Sequence, residues 1–211
     1  MFEIEYKGGN AVLITTKEKS LLIDGNLEAL GLKDVKDKNV INLATERRFL
    51  PGNIPEDSVI LEGPGEYEVG PYTIRGIAAG RMLDGGSGAN VTIYRIEIGD
   101  VIVGVLGNIS SELNDDQLEA LGVIDILITP IGGGGYTLDA TDAIKVIKAI
   151  EPKAVVPIHY ANNALKYEVP QETSERFERE FEATVEELAK LKVKGAISLP
   201  AVLTVYKLSL S

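Results

Sequence analysis

From Ile124 to His159 the chain reads IDILITPIGGGGYTLDATDAIKVIKAIEPKAVVPIH. Ile124 to Thr129 is a short apolar run of the kind that forms a buried strand, and it leads through Pro130 to four consecutive glycines, Gly132 to Gly135. Asp139 suits a helix N-cap with Asp142 three residues on. Ala143, Ile144, Ile147 and Ile150 then recur at helical spacing until Pro152 stops the run. Ala154 to Ile158 reads as a second buried strand. Strand, helix and strand in this order predict a βαβ unit, with the two strands parallel and the crossover right-handed.

Outward from this unit the pattern changes. Toward the C-terminus, Gln171 to Lys192 is rich in Glu, Arg and Lys, with Phe177, Phe181, Leu188 and Leu191 near one helical face, so an amphipathic helix lying on the sheet is expected. Its charges read as a solvated face. Val202 to Leu208 alternates and closes as a strand. Toward the N-terminus the elements are short strands: Phe2 to Tyr6, Ala11 to Thr15 and Leu21 to Asp24 as a meander, then Asn39 to Ala44, Val59 to Leu61, Thr73 to Ala79, and Val91 to Ile98 joined to Val101 to Leu106 by the tight turn Gly99-Asp100. No linker, repeat or low-complexity segment divides the 211 residues, so a single domain over 1–211 is expected.

A formal charge of −11 opposes binding to phosphate backbones and anionic lipid, and Arg47-Arg48 is the one adjacent arginine pair. The expectation is no nucleic acid and no membrane partner, with a homo-oligomer or a protein partner left open. Absence of cysteine removes disulfides, thiolate metal sites and a Cys nucleophile, and fits a cytoplasmic setting. Met1-Phe2-Glu3-Ile4-Glu5-Tyr6 lacks the basic flank and apolar core of a signal peptide, and no stretch approaches the roughly 20 apolar residues that span a bilayer.

Six ordered segments resemble the metallo-β-lactamase superfamily, in its branch of small Zn-dependent hydrolase-like proteins. They are Gly9 to Ile14, Leu21 to Asp24, Gly63-Pro64-Gly65-Glu66-Tyr67-Glu68-Val69, Val105 to Asn108, Pro130 to Gly133, and Val156-Pro157-Ile158-His159-Tyr160. The resemblance implies an α/β fold, a four-layer αββα sandwich, with two zinc ions at one edge held by an HxHxDH loop, a later His and Asp, and a final His. Zinc there needs imidazole and carboxylate ligands and an open position for water.

The residues at the implied ligand positions depart from that set. After the strand Asn39 to Ala44 stands Thr45-Glu46-Arg47-Arg48-Phe49-Leu50-Pro51. If Thr45 keeps the family's preceding Thr, Glu46 and Arg48 replace two histidines, and Leu50 and Pro51 replace the Asp and the last His. Val105 stands where the family has His, and Asn108 where it has the bridging Asp. His159 remains, and it is the one histidine in the chain. Glu46 and Asp24 offer oxygen ligands to a hard cation such as magnesium, against which an adjacent guanidinium works. No metal and no cofactor are therefore expected, and the remnant cleft comprises Asp24, Glu46, Arg47, Arg48, Asn108 and His159.

The arginines admit two readings: a guanidinium that replaces the charge of the lost metals by pairing with Glu46, Asp24 or Glu62, or a surface loop pointing into water. For His159, a role as relic ligand or general base competes with structural retention through a hydrogen bond. Gly132 to Gly135 precede a helix but lack the Lys-Ser or Lys-Thr of a P-loop, so tight turns and close backbone approach explain them better. Glu66 and Glu68 share one face of a strand, and no Gly-x-Ser-x-Gly elbow exists. The expectation is a non-catalytic member of the fold acting by binding or assembly. The alternative is a metal-dependent hydrolase of an ester, phosphodiester or lactone, with an atypical site of Glu46, Asp24, Asn108 and His159.

Overall fold

Alternation decides the first strand: in β1 (Phe2–Gly8), Phe2, Ile4 and Tyr6 are buried while Glu3, Glu5 and Lys7 between them are partly exposed. This period of two is what a sheet with one tightly covered face imposes. In the computed structural model, which describes residues 1–35 and 39–211, β1 pairs antiparallel with β2 (Ala11–Thr15), and β2 with β3 (Ser20–Ile23). The next two strands, β4 (Val40–Ala44) and β5 (Ile60–Glu62), add in parallel. A late strand, β13 (Leu191–Val193), pairs with the free side of β1 and completes a six-stranded sheet in the order β13-β1-β2-β3-β4-β5.

The second sheet begins as an antiparallel meander of β6 (Gly65–Val69), β7 (Tyr72–Ala79), β8 (Val91–Ile98) and β9 (Val101–Val105). It continues in parallel: β10 (Ile126–Pro130) lies between β9 and β11 (Ala154–Ile158), followed by β14 (Thr204–Leu208) and β12 (Thr184–Leu188). The eight strands run β12-β14-β11-β10-β9-β8-β7-β6. Among the described residues three α-helices flank the sandwich: α1 (Asp115–Leu121) against β7, α2 (Ala140–Ile150) against β10, and α3 (Ser174–Phe181) against α2. The fold is an α/β sandwich of two mixed sheets flanked by helices.

Between the sheets the apolar faces meet in one core, to which β1 gives Ile4 and Tyr6, β3 gives Leu21 and Ile23, and β8 gives Tyr94 and Ile96. Two tyrosines tie the sheets together through polar atoms that burial would otherwise leave unpaired. Tyr94 donates to the Ala44 carbonyl at 2.8 Å, and Tyr72 donates to Ile14 O at 3.1 Å and Lys19 O at 2.8 Å.

The βαβ unit forms as its pattern predicts. Asp139 Oδ1 accepts the Asp142 N–H at 2.8 Å, capping α2, and Ala143, Ile144 and Ile147 are buried on its inner face. The expected helix over Gln171–Lys192 is corrected. Only Ser174–Phe181 is helical; Glu182 turns left-handed with φ 54°, and Thr184–Leu188 and Leu191–Val193 are strands in different sheets. Phe177 and Phe181 do share the helix's inner face, their rings 5.3 Å apart. Beyond them, β-branched Thr184 and Val185 favour extended backbone, and Glu186 and Glu187 charge an edge strand in the way edges resist further pairing. One helix had no counterpart in the periodicity: α1 is set by the capping box of Asn114 and Gln117, each side chain bonded to the other's backbone N–H at 2.9 Å.

Candidate functional site

Parallel strands deliver their C-terminal ends to one rim, which is where open α/β sheets place their binding crevices. Asp24 follows β3, Thr45 and Glu46 follow β4, Asn108 follows β9, and His159 follows β11. Gly107 lets the two sheets approach there: a Cβ at that position would stand 2.8 Å from the Thr45 side chain. Asp24 and His159 are also the two positive-φ residues, at 50° and 51°, that end strands; the other two non-glycine residues of this kind among the described residues, Glu151 and Glu182, end helices. Left-handed backbone at a side chain with a Cβ costs roughly 1 kcal/mol and persists where the surroundings impose it.

Both oxygens of the buried Asp24 carboxyl accept from Thr45, from its N–H at 2.7 Å and its hydroxyl at 2.6 Å. Burial pushes the Asp24 carboxyl up to about 7, offsetting the opposite pull of the Thr45 hydrogen bonds, while the Glu46 charge adds to the rise. Glu46 is itself buried and is clasped by two guanidinium groups. Arg48 donates to it from Nε at 2.9 Å and from Nη2 at 3.1 Å, and Arg81 donates from Nη1 at 3.1 Å. Arg81 is held in turn by Asp84 at 2.9 and 3.0 Å. Those bonds, and one from Asn90, hold the Asp84 carboxyl below the usual range.

The Arg48 guanidinium also lies over two rings, 4.7 Å from the Phe49 centroid and 5.1 Å from that of Tyr136. Tyr136 stacks on His159 at 5.6 Å and 14°, and Tyr167 tilts against the imidazole at 5.1 Å. His159 Nδ1 is 3.1 Å from Gln171 Oε1, and its backbone N–H donates to Gly9 O at 2.9 Å. Burial lowers the imidazole to about 4, so the ring is neutral near neutral pH. Asn108 is fully buried and its Oδ1 accepts from Asn10 Nδ2 at 2.9 Å, leaving Asn108 Nδ2 and Asn10 Oδ1 without partners.

Of the six residues expected in the cleft, Glu46 and Arg48 are bonded to each other, and Asp24 and His159 line a common cavity of about 80 Å³ together with Asn10 and Tyr136. Asn108 meets that cavity through Asn10. Arg47 stands apart: its side chain is 82% exposed and pairs with Glu62. Sequence reasoning named neither Arg81 nor Tyr136, Tyr167 and Gln171. Arg81 lies 35 residues from Glu46 in no recognisable motif. Asn10 stood within a quoted segment, without a role.

The zinc pair implied by the family does not fit these residues. Among the described residues no group of three or more His, Cys, Asp and Glu side chains converges to hold a metal ion. The rim's carboxylates are engaged by N–H and O–H donors, and two guanidinium charges bonded to Glu46 oppose a further cation there. His159 has an amide, not a hydroxyl nucleophile, at Nδ1.

Residues 3–159 match the family described as "Beta-lactamase superfamily domain". A metal-dependent hydrolase of Carboxydothermus hydrogenoformans is 28% identical over 101 residues, 46% of this chain and 44% of that protein. Another, of Methanosarcina mazei, is 33% identical over 112 residues, 52% of this chain and 44% of that protein. The matched stretch thus spans less than half the length of either relative. Among solved structures, one described as a Zn-dependent hydrolase of the metallo-β-lactamase superfamily, from Thermotoga maritima, superposes with a TM-score of 0.74 at 17% identity, covering 99% of this chain and 100% of that one.

Proposed function

The chain belongs to the beta-lactamase superfamily domain family, and from that premise we propose that it is a non-hydrolytic member, a single domain over residues 1–211 that acts by binding at the rim of its sheets. The observation that carries this reading is the double clasp of Arg48 and Arg81 on the buried carboxylate of Glu46. A fixed positive charge with planar donors satisfies a buried carboxylate as a cation would, without leaving a coordination position open for water. Asp24, Asn108 and His159 then serve as walls of a cleft, and Arg47 braces its outer loop through Glu62.

The net charge of −11 supports a partner other than nucleic acid. Among the described residues no helix is long and apolar enough to cross a membrane. The absence of cysteine supports a reducing, cytoplasmic setting.

The competing reading follows the relatives' description as metal-dependent hydrolases and assigns an atypical site to Asp24, Glu46, Asn108 and His159. Elemental analysis of the purified protein, with a hydrolase screen in added Zn²⁺, Mn²⁺ and Mg²⁺, separates the two. Substoichiometric metal and no turnover are expected. One metal per chain, with hydrolysis lost in His159→Ala, overturns the proposal.

A further inference from the structure

The cavity beside His159 has a lopsided hydrogen-bonding wall. Its side-chain donors are turned into the protein: Asn10 Nδ2 to Asn108, Asn26 Nδ2 to Arg48 O at 2.9 Å, Gln171 Nε2 to Val169 O at 3.0 Å, and the Tyr167 hydroxyl to Tyr160 O at 2.7 Å. Asn10 Oδ1 and the Asp24 carboxyl remain on this wall as acceptors. Asn10 is 5% exposed and its Oδ1 accepts no hydrogen bond from the described residues, whereas a buried acceptor ordinarily does. Each carboxyl oxygen of Asp24 has a lone pair beyond the one that Thr45 uses. At the exposed rim Lys166 and Glu168 oppose one another in charge.

The remaining walls are aromatic. Phe49, Tyr136 and Tyr167 border the space, and the first two already carry the guanidinium of Arg48 on their faces. A cavity of about 80 Å³ is smaller than the roughly 150 Å³ that admits benzene, and the Asp24 carboxyl on its wall favours a cation over an anion. The fitting ligand is therefore a compact donor with positive charge and a few carbons.

We propose that the cavity bounded by Asn10, Asp24, Phe49, Tyr136, His159 and Tyr167 binds a small primary ammonium group carried on a short apolar chain. The ammonium donates to Asn10 Oδ1 and the Asp24 carboxyl, and its hydrocarbon lies against the aromatic walls. This rests on the reading of the cleft as a binding site without metal.

The test uses n-propylammonium against n-propanol and propionate, which share its carbon chain and differ in the head group. His159 is the one histidine, so its imidazole resonances report on this cavity alone. Saturable shifts are expected with propylammonium, at an affinity about tenfold above that of propanol, the difference that one charge-assisted hydrogen bond supplies. Asn10→Ala and Asp24→Asn should each weaken binding. Should either variant fail to fold, Tyr167→Leu keeps the buried amide pair and should also weaken it. No shift with propylammonium, or propionate binding as well or better, overturns the inference. Metal content of the same sample is read independently: metal-free protein that ignores propylammonium overturns this inference alone, while one bound metal per chain overturns the reading beneath it.

Discussion

Arg81 reaches back across 35 residues to place its Nη1 3.1 Å from Glu46 Oε2, the same oxygen that accepts from Arg48 Nε. Glu46 is 6% exposed, and these two partners supply its hydrogen bonds together. Removing one leaves the other in place; removing both strands a buried carboxylate. Arg48→Ala and Arg81→Ala are each expected to cost roughly 1 kcal/mol, since both side chains are partly exposed. The double variant should lose more than the sum, about 3 kcal/mol or more. Urea unfolding of the four proteins measures the coupling, and an unchanged midpoint in Arg48→Ala would sink the structural role of the clasp.

Asp24 and His159 give opposed pH dependences. Asp24, raised from 3.8 to about 7, binds a proton in the folded chain where the unfolded chain does not, so its contribution to stability falls as pH rises between those values. His159, lowered from 6.5 to about 4, binds a proton first in the unfolded chain, so its contribution falls as pH drops through that window. Between about pH 4 and 6.5 the two slopes offset. Asp24→Asn should expose the His159 slope, losing up to roughly 3 kcal/mol on acidification. In His159→Gln, stability should instead decline as pH rises. Equal slopes in both variants and the parent would refute the assignment.

Gly132 and Gly135 belong to the same run but face different constraints. A Cβ on Gly132 would stand 2.1 Å from the His159 carbonyl oxygen, whereas one on Gly135 meets nothing within 4 Å and strains only a φ of 70°. Gly132→Ala should therefore cost several times more than Gly135→Ala, for which roughly 1 kcal/mol is expected. Thermal melts of the two variants rank them, and equal losses would contradict the close approach.

A chelator checks the cleft from another side. With Glu46 satisfied by arginines, EDTA treatment should leave the melting temperature unchanged. A drop reversed by added zinc would show that a metal supports the native state.

Where the sequence was legible, local signals agreed with one another. Asp139, the helical spacing to Ile150 and the apolar run Ala154 to Ile158 predict a βαβ unit that forms over those residues. Glu46 could be named among the carboxylates open to the arginines because it stands two positions from Arg48. Arg81 could not, since its partner is supplied by the stacking of two sheets. The same blindness misread the segment after Phe181: alternating charge and apolar residues suit a helix face or an edge strand equally, and the choice is made by β14 and β1, which supply the pairing partners. The aromatic flanks of His159 were hidden for a related reason, because Tyr136 and Tyr167 reach it from two separate loops.

The antiparallel pairing of β13 with β1 joins Phe2 to Val193 and Ile4 to Leu191. β1 thus waits for a strand synthesised some 190 residues after it. During synthesis β1 presents an open, hydrogen-bond-hungry flank, and loop closure over some 190 residues precedes its protection. A chain lacking Leu191 to Val193 would leave that flank exposed to its neighbours, which makes β13 a guard against self-association of β1.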